Sequence, residues 1–197
     1  MLTKRLFDVA ASLLGVVVLT PILVAVACWI KWDSPGPVFF RQQRVGRYGI
    51  PFAILKFRTM ATDAESRGQL TVGKDARITR AGVFLRHYHI DELPQLLNVL
   101  VGQMSLVGPR PEVPRYVACY PAALRDIVLS VRPGITDWAA IQYKDESALL
   151  NGASQPERTY IDKILPAKLE YYVQYVQSRS FLTDLRIIFA TLYAVVR

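Results

Sequence analysis

Cysteine and histidine are scarce in this 197-residue chain, with two of each. Cys28 lies in an apolar run and Cys119 stands alone. With no CxxC pair and no Cys/His cluster, the chain argues against a structural disulfide or zinc site, and its bulk belongs in a reducing cytosol. His87 and His89 flank Tyr88 without a further ligand at helical or strand spacing, so they read as packing or hydrogen-bonding residues. Acidic residues are also few, 16 Asp and Glu against 24 Lys and Arg, for a net charge of +8. GxGxxG, the Walker loop, GxSxG and HExxH are all missing, which removes the chemistries those motifs carry. No internal repeat or low-complexity tract occurs.

What is abundant is apolar: 52% of residues are hydrophobic and mean hydropathy is +0.22. A chain both greasy and basic suits a phospholipid surface or a lipid phosphate. Nucleic acid is the competing partner for the charge, but the cations are scattered and no nucleic-acid motif is present. The length fits one domain.

Val9 to Ile30 holds 22 residues without a charge, about 33 Å as a straight helix and enough for a bilayer core. The run is too long for a secretory signal and lacks a cleavage site. Hydropathy alone reads it as a spanning anchor. Two features oppose that. Pro21 removes a backbone donor at mid-run, and the Thr20 hydroxyl beside it is placed to satisfy a freed carbonyl. Both flanks are basic, Lys4 and Arg5 before, Lys31, Arg41, Arg44 and Arg47 after, so the positive-inside rule holds both ends in the cytosol. A re-entrant helix–break–helix over residues 1–33 satisfies both, continuous with a cytosolic catalytic domain over 34–197. Asp8 at its mouth either pairs with a cation or caps a helix.

The remainder predicts an α+β fold, mostly helical with a small β-hairpin and amphipathic interfacial helices. VFFRQQRV and PFAILKFRTM around GRYGI form the hairpin. Residues 61–75 read as a loop or frayed helix. Helices follow over Arg77–His89, from Asp91 to about Val101 with Gly102 ending it, and over Glu112–Val131. RPGIT forms a turn, 144–156 a loop, and Leu165–Gln177 and Phe181–Val196 the last helices. Tyr171, Tyr172 and Tyr175 read as core or interface packing.

The chemistry concentrates in Arg86–Pro111, RHYHIDELPQLLNVLVGQMSLVGPRP. Asp91 and Glu92 are adjacent acids before an apolar run. One reading makes Asp91 a helix cap with Pro94 tolerated in the first turn. The other makes the pair a nucleophile or divalent-metal site near a phosphate. Two prolines restrict Arg110, which lowers the cost of presenting its guanidinium to a phosphate; Arg132 in RPG is a weaker case. Lys56 and Arg58, two apart in KFRT, point to one strand face.

These residues resemble the monotopic phosphoglycosyl transferases, bacterial sugar transferases that begin glycoconjugate assembly. The shared motifs are KRLFDV with the Pro-interrupted apolar helix, PGPVFFRQQRVG, FAILKFRTM, DELPQLLNVLVGQMSLVGPRP, RPGIT followed by Trp138, and RSFLTDLRII. The resemblance covers almost the full chain and matches the minimal form of the family. It implies transfer of a phosphosugar from a UDP-sugar to polyprenyl (undecaprenyl) phosphate with Mg²⁺, releasing UMP, at the cytoplasmic face of a bacterial inner membrane. It implies Asp91 as nucleophile and metal ligand, Glu92 as metal ligand or acid/base partner, and Lys56, Arg58, Arg86, Arg110 and Arg132 as phosphate contacts. The implied partners are the UDP-sugar, polyprenyl phosphate and the bilayer, with no nucleic acid; a homodimer is compatible. Where family members often read RPGITGWAQ, this chain has Asp137 and Ala140, which bears on donor choice. Two alternatives remain: a membrane-attached glycosyltransferase moving only the sugar, and a non-enzymatic basic membrane-binding protein.

Overall fold

The computed structural model describes residues 2–62, 64, 73 and 75–196. The loop expected over 61–75 lies largely outside the described residues. Helix α1 spans Leu2–Asp33 and is apolar nearly all round, the pattern of a helix surrounded by nonpolar material. Leu13, Leu14, Val17, Val18, Ile22 and Val24 are all exposed. The expected break at Thr20–Pro21 is not a break in secondary structure, because α1 runs through Pro21 as one helix. Pro21 costs one bond, that to Val17, and the Thr20 hydroxyl donates to the neighbouring Val16 carbonyl at 2.7 Å.

Both ends of α1 are fastened to the rest of the chain. Near its start, Lys4 pairs with Asp184 at 2.6 Å and Arg5 donates to the Val99 carbonyl at 2.8 Å. Among the described residues Asp8 neither pairs with a cation at bonding distance nor caps a helix: it accepts from the Ser105 hydroxyl at 2.7 Å and the Leu106 N–H at 3.3 Å. Near its end, Val26 and Ile30 pack on Phe57, Ala81 and Leu85, and Asp33 accepts from the Ala81 N–H at 3.0 Å.

Strands β1 (Phe39–Val45) and β2 (Pro51–Phe57) form the expected antiparallel hairpin, with Phe40 opposite Lys56. Tyr48 at its tip adopts φ 59°. Helix α2 covers Arg80–His87 rather than starting at Arg77, because the Thr79 side chain caps it by accepting from the Gly82 N–H at 3.0 Å. A 3₁₀ turn, Ile90–Glu92, follows, then α3, Gln95–Leu100. The expected long helix over Glu112–Val131 is two short ones, α4 (Pro114–Val117) and α5 (Ala122–Val128). Pro121 separates them, since it disfavours helical backbone at Tyr120.

The RPGIT turn carries a strand the sequence pattern hid. Strand β3 (Ser105–Val107) pairs in parallel with β4 (Gly134–Thr136). Just past β3, the backbones of Gly108 and Gly134 meet so closely that a Cβ on Gly134 would stand 2.1 Å from the Gly108 nitrogen. The close approach demands glycine at both positions. It also fixes where the Pro109–Arg110–Pro111 turn leaves the sheet.

Helix α6 (Trp138–Gln142) follows β4. The loop expected over 144–156 contains α7 (Glu146–Leu150). Helix α8 (Pro156–Thr159) passes through a π-turn, Tyr160–Ile164, into α9 (Leu165–Ser178), so this helical stretch starts earlier than predicted. Helix α10 (Phe181–Val196) closes the fold, burying Ile187 and Asp184 while exposing Phe181, Leu182, Phe189, Leu192 and Tyr193. Tyr160, Tyr172, Leu165 and Leu169 fill the main core.

Candidate active site

Asn98 on α3 sets the site's geometry by acting as a piece of strand. Its side-chain oxygen accepts from the Leu55 N–H at 3.0 Å and its amide donates to the Ala53 carbonyl at 2.9 Å. These bonds dock α3 along β2 and satisfy edge groups that would otherwise be buried unpaired. Strand alternation then puts Lys56 on the same face as Phe52 and Ile54, the face covered by Val99 and Met104. Lys56 thereby reaches the 3₁₀ turn that bears the two acids.

Glu92 is the hub. Its Oε1 takes the Lys56 ammonium and one Arg110 nitrogen, each at 2.6 Å, and its Oε2 takes the other Arg110 nitrogen at 3.3 Å. Burial alone would raise the Glu92 carboxyl, but Arg110 and then Lys56 overcome it and hold it well below the usual carboxylate range. Glu92 in turn lifts the Arg110 pKa. Lys56, desolvated and only partly offset by Glu92, is lowered.

Asp91, next in the chain, meets the opposite conditions. It is 8% exposed. Among the described residues, nothing donates a hydrogen bond to its carboxylate, so it is not a cap: Pro94 occupies the N-cap position of α3. Burial raises its pKa; the Lys56 charge opposes this and Glu92 adds to it, while Arg86 supplies further positive charge. His89, before the turn, has φ 54°, a left-handed conformation that costs a non-glycine residue about 1 kcal/mol or more and swings the chain out of α2. Two adjacent carboxyls are thus driven apart, Glu92 downward by its paired cations and Asp91 upward by burial, which is the pattern of a divided acid pair.

The predicted phosphate contacts do not all gather here. Lys56 and Arg110 touch Glu92, and the charge of Arg86 acts on Asp91. Arg58 lies beyond the end of β2 and shares no strand face with Lys56. Buried to 4% exposure, it donates to the Ser34 and Pro35 carbonyls and the Ser34 hydroxyl, clamping the turn after α1. Arg132 donates to the Gly102 carbonyl at 2.8 Å, at the far end of α3. His87 is exposed, edge-on to Tyr88 at 4.7 Å between ring centres.

The sequence also passed over a second ring behind Arg110. Arg44 donates to the Pro111 carbonyl at 2.9 Å and pairs with Glu112 at 3.5 Å, while the Tyr160 hydroxyl donates to Glu112 at 2.7 Å. The one available signal was Glu112 itself, an acid following directly on GPRP. Asp137 is turned inward: Oδ1 accepts from the Ala140 N–H at 2.9 Å, capping α6, and Oδ2 is buried without a partner. Desolvation pushes Asp137 up to about 6 despite the pull of the α6 amide and the charges of Arg110 and Lys168. The Tyr172 hydroxyl is likewise buried and unpaired.

A family model for "Bacterial sugar transferase" matches residues 1–197. An undecaprenyl-phosphate glucose phosphotransferase of Komagataeibacter xylinus is 41% identical, over 98% of this chain and 35% of its own length. A UDP-glucose:undecaprenyl-phosphate glucose-1-phosphate transferase of Caulobacter vibrioides is 40% identical, over 96% of this chain and 68% of its own length. The exopolysaccharide production protein PSS of Rhizobium leguminosarum bv. phaseoli is 38% identical, over 95% and 92%. The chain spans about two fifths of the length of the larger curated relatives.

Proposed function

The chain belongs to the bacterial sugar transferase family, and we propose that it moves a phosphosugar from a UDP-sugar to polyprenyl phosphate through a covalent intermediate on Asp91. One observation carries this reading: a buried carboxylate free of hydrogen bonds lies beside a second carboxylate locked by Lys56 and Arg110. An Asp91 oxygen attacks the sugar-bearing phosphorus, the bond from that phosphorus to the bridging oxygen breaks, and UMP leaves. A polyprenyl phosphate oxygen then attacks the same phosphorus, and the Asp91–phosphorus bond breaks, giving polyprenyl diphosphate sugar and restoring the carboxylate. Dividing the transfer lets a soluble donor and a membrane acceptor use one site in turn. The names of the relatives support undecaprenyl phosphate as acceptor and a UDP-sugar as donor.

Lys56, Arg110 and Arg86 supply fixed positive charge to the phosphoryl oxygens, stabilisation that needs no reorganisation during the step. Glu92 keeps Lys56 and Arg110 aimed before substrate arrives. Among the described residues there is no group of three His, Cys, Asp or Glu suited to a metal. That suits Mg²⁺, which takes one or two carboxylates and completes its shell with water and substrate phosphates. Asp91, with free oxygens, is the residue fit to hold it; Glu92 would contribute only by loosening a cation. Bound there, Mg²⁺ would neutralise diphosphate charge.

The six exposed apolar residues of α1 named above, at about 2 kcal/mol each on leaving water, favour lipid by on the order of 10 kcal/mol. The two ends of α1 contact one folded body, which supports a re-entrant course with both ends on the cytoplasmic side of the inner membrane. The test is UMP release from a panel of UDP-sugars with undecaprenyl phosphate, with and without chelator. We expect UMP that vanishes when Mg²⁺ is removed; release of UDP would mean that only the sugar moves.

A further inference from the structure

Arg132 stands among cations. Its guanidinium is lowered in pKa by burial and then by the charges of Arg5 and Arg47, with Asp8 and Tyr48 opposing. Arg5 and Arg132 converge on one turn: Arg5 donates to the Val99 and Leu100 carbonyls at 2.8 and 3.1 Å, Arg132 to Gly102 at 2.8 Å. Arg47 donates to the Ser130 carbonyl at 2.9 Å, two residues from Arg132, and lies over the Tyr48 ring at 4.4 Å. None of the three forms an ion pair among the described residues. The Nη groups of Arg47 and Arg132 have no hydrogen-bond partner there and are not sealed from solvent.

Capping of α3 explains only part of this. A helix C-terminus offers about half a negative charge, yet two cations bond the carbonyls at the end of α3 and Arg47 lies at Ser130 beyond them. Holding like charges together with most of their donors unused fits an external anion. The same short segments expose large apolar side chains: Leu2 and Leu6 beside Arg5, Tyr48 and Ile50 beside Arg47, and Val101 beside the shared turn. Arginine interleaved with exposed apolar groups suits a headgroup layer, where the stems and neighbours meet acyl chains and the guanidinium meets phosphate.

We propose that Arg5, Arg47 and Arg132 form a second anion site, distinct from Asp91 and Glu92, that holds the phosphate of an acidic phospholipid headgroup. The proposal rests on the membrane attachment argued above. It gives Arg132 a phosphate to bind without bringing it to the catalytic carboxylates. The site tethers the start of α1, the hairpin tip and the end of α3 to the membrane surface, and so fixes the tilt at which the turn bearing Asp91 meets the lipid.

Native mass spectrometry of the full chain, delipidated and re-exposed to equal phosphatidylglycerol and phosphatidylcholine, tests it. Wild type should retain phosphatidylglycerol with a preference of about tenfold, since each interfacial arginine adds several-fold. The double variant Arg47→Gln/Arg132→Gln should fall to about twofold or less, and Arg41→Gln, an exposed cation on β1, should match wild type. If the double variant does not fold by circular dichroism, Arg47→Gln at the exposed tip should alone lower the preference about threefold. Equal retention of the two lipids, or an unchanged preference in Arg47→Gln, overturns the proposal. Full displacement of phosphatidylglycerol by excess inorganic phosphate overturns the lipid assignment in favour of a free-phosphate site. UMP release measured on the same samples separates the readings: turnover without lipid preference sinks this inference alone, whereas lipid preference without turnover for any donor sinks the proposed function.

Discussion

The two basic regions of this molecule use the same residue types in opposite ways. Around Glu92, Lys56 and Arg110 already share one carboxylate at 2.6 Å, so they are held in place before any ligand arrives. Around Arg132, three arginines bond backbone carbonyls and form no ion pair among the described residues, which in the proposed reading leaves their charge for an anion outside the chain. A cation count cannot separate these cases; only the placement of carboxylates does. In the proposed reading the first region shares charge with a reacting phosphoryl group and the second holds a stationary one.

The sharpest break in that comparison comes at Asp91. Asp91→Asn should lower UMP release by about four orders of magnitude or more, the scale of removing a nucleophile, while Arg47→Gln leaves turnover within a few-fold in lipid-saturated micelles. Steady-state rates decide it, and a mild Asp91→Asn would dissolve the distinction. Next, Arg110→Met should cost about 10²–10³ in kcat/KM through lost oxyanion stabilisation. It should also destabilise the fold by about 3 kcal/mol, because it strips a partner from a buried carboxylate. Arg132→Gln, by contrast, should stay within about tenfold in kcat/KM. Equal losses at the two arginines would show that both contact the donor. Arg58→Met should act through stability, by about 2 kcal/mol from the abandoned Ser34 and Pro35 carbonyls, with kcat/KM per folded molecule nearly preserved; denaturant melts alongside kinetics read this.

The smallest effect sharpens the electrostatics. Asp137 titrates at about 6 in the fold against about 4 in an unfolded chain, so the folded state holds the proton more tightly. Its destabilising contribution is therefore absent below about pH 4, grows between 4 and 6, and is complete above. Asp137→Asn keeps the cap of α6 and removes the charge. We expect about 2 kcal/mol of added stability at pH 8 and none at pH 4, measured by thermal melts. A gain independent of pH would mean that Asp137 titrates alike in the folded and unfolded chain.

The apolar first helix could be read from its charge-free run, and the hairpin and the last two helices from their local patterns. The β3–β4 pair could not. Three-residue strands carry no usable alternation, and what joins Ser105 to Gly134 is a backbone approach permitted by two glycines far apart in sequence. Asp91 as a cap was a fair local reading; only the left-handed His89 and the start of α3 at Gln95 remove it. Among the cations, Lys56 and Arg110 could be picked out by neighbouring motifs, yet Arg58 and Arg132 could not be told from them. Their partners are backbone carbonyls at positions 34–35 and 102, which no side-chain pattern announces. Glu112 was hidden for the same reason; Asp137 stood out against the family motif, but its burial and its cap on α6 did not.

The central claim is covalent. Enzyme quenched rapidly after mixing with a UDP-sugar and Mg²⁺, but no polyprenyl phosphate, should yield a peptide containing Asp91 heavier by one phosphosugar, and the mass should vanish when acceptor is added before quenching. Product formation with no such adduct at any quench time, or an adduct on a different residue, would contradict the account.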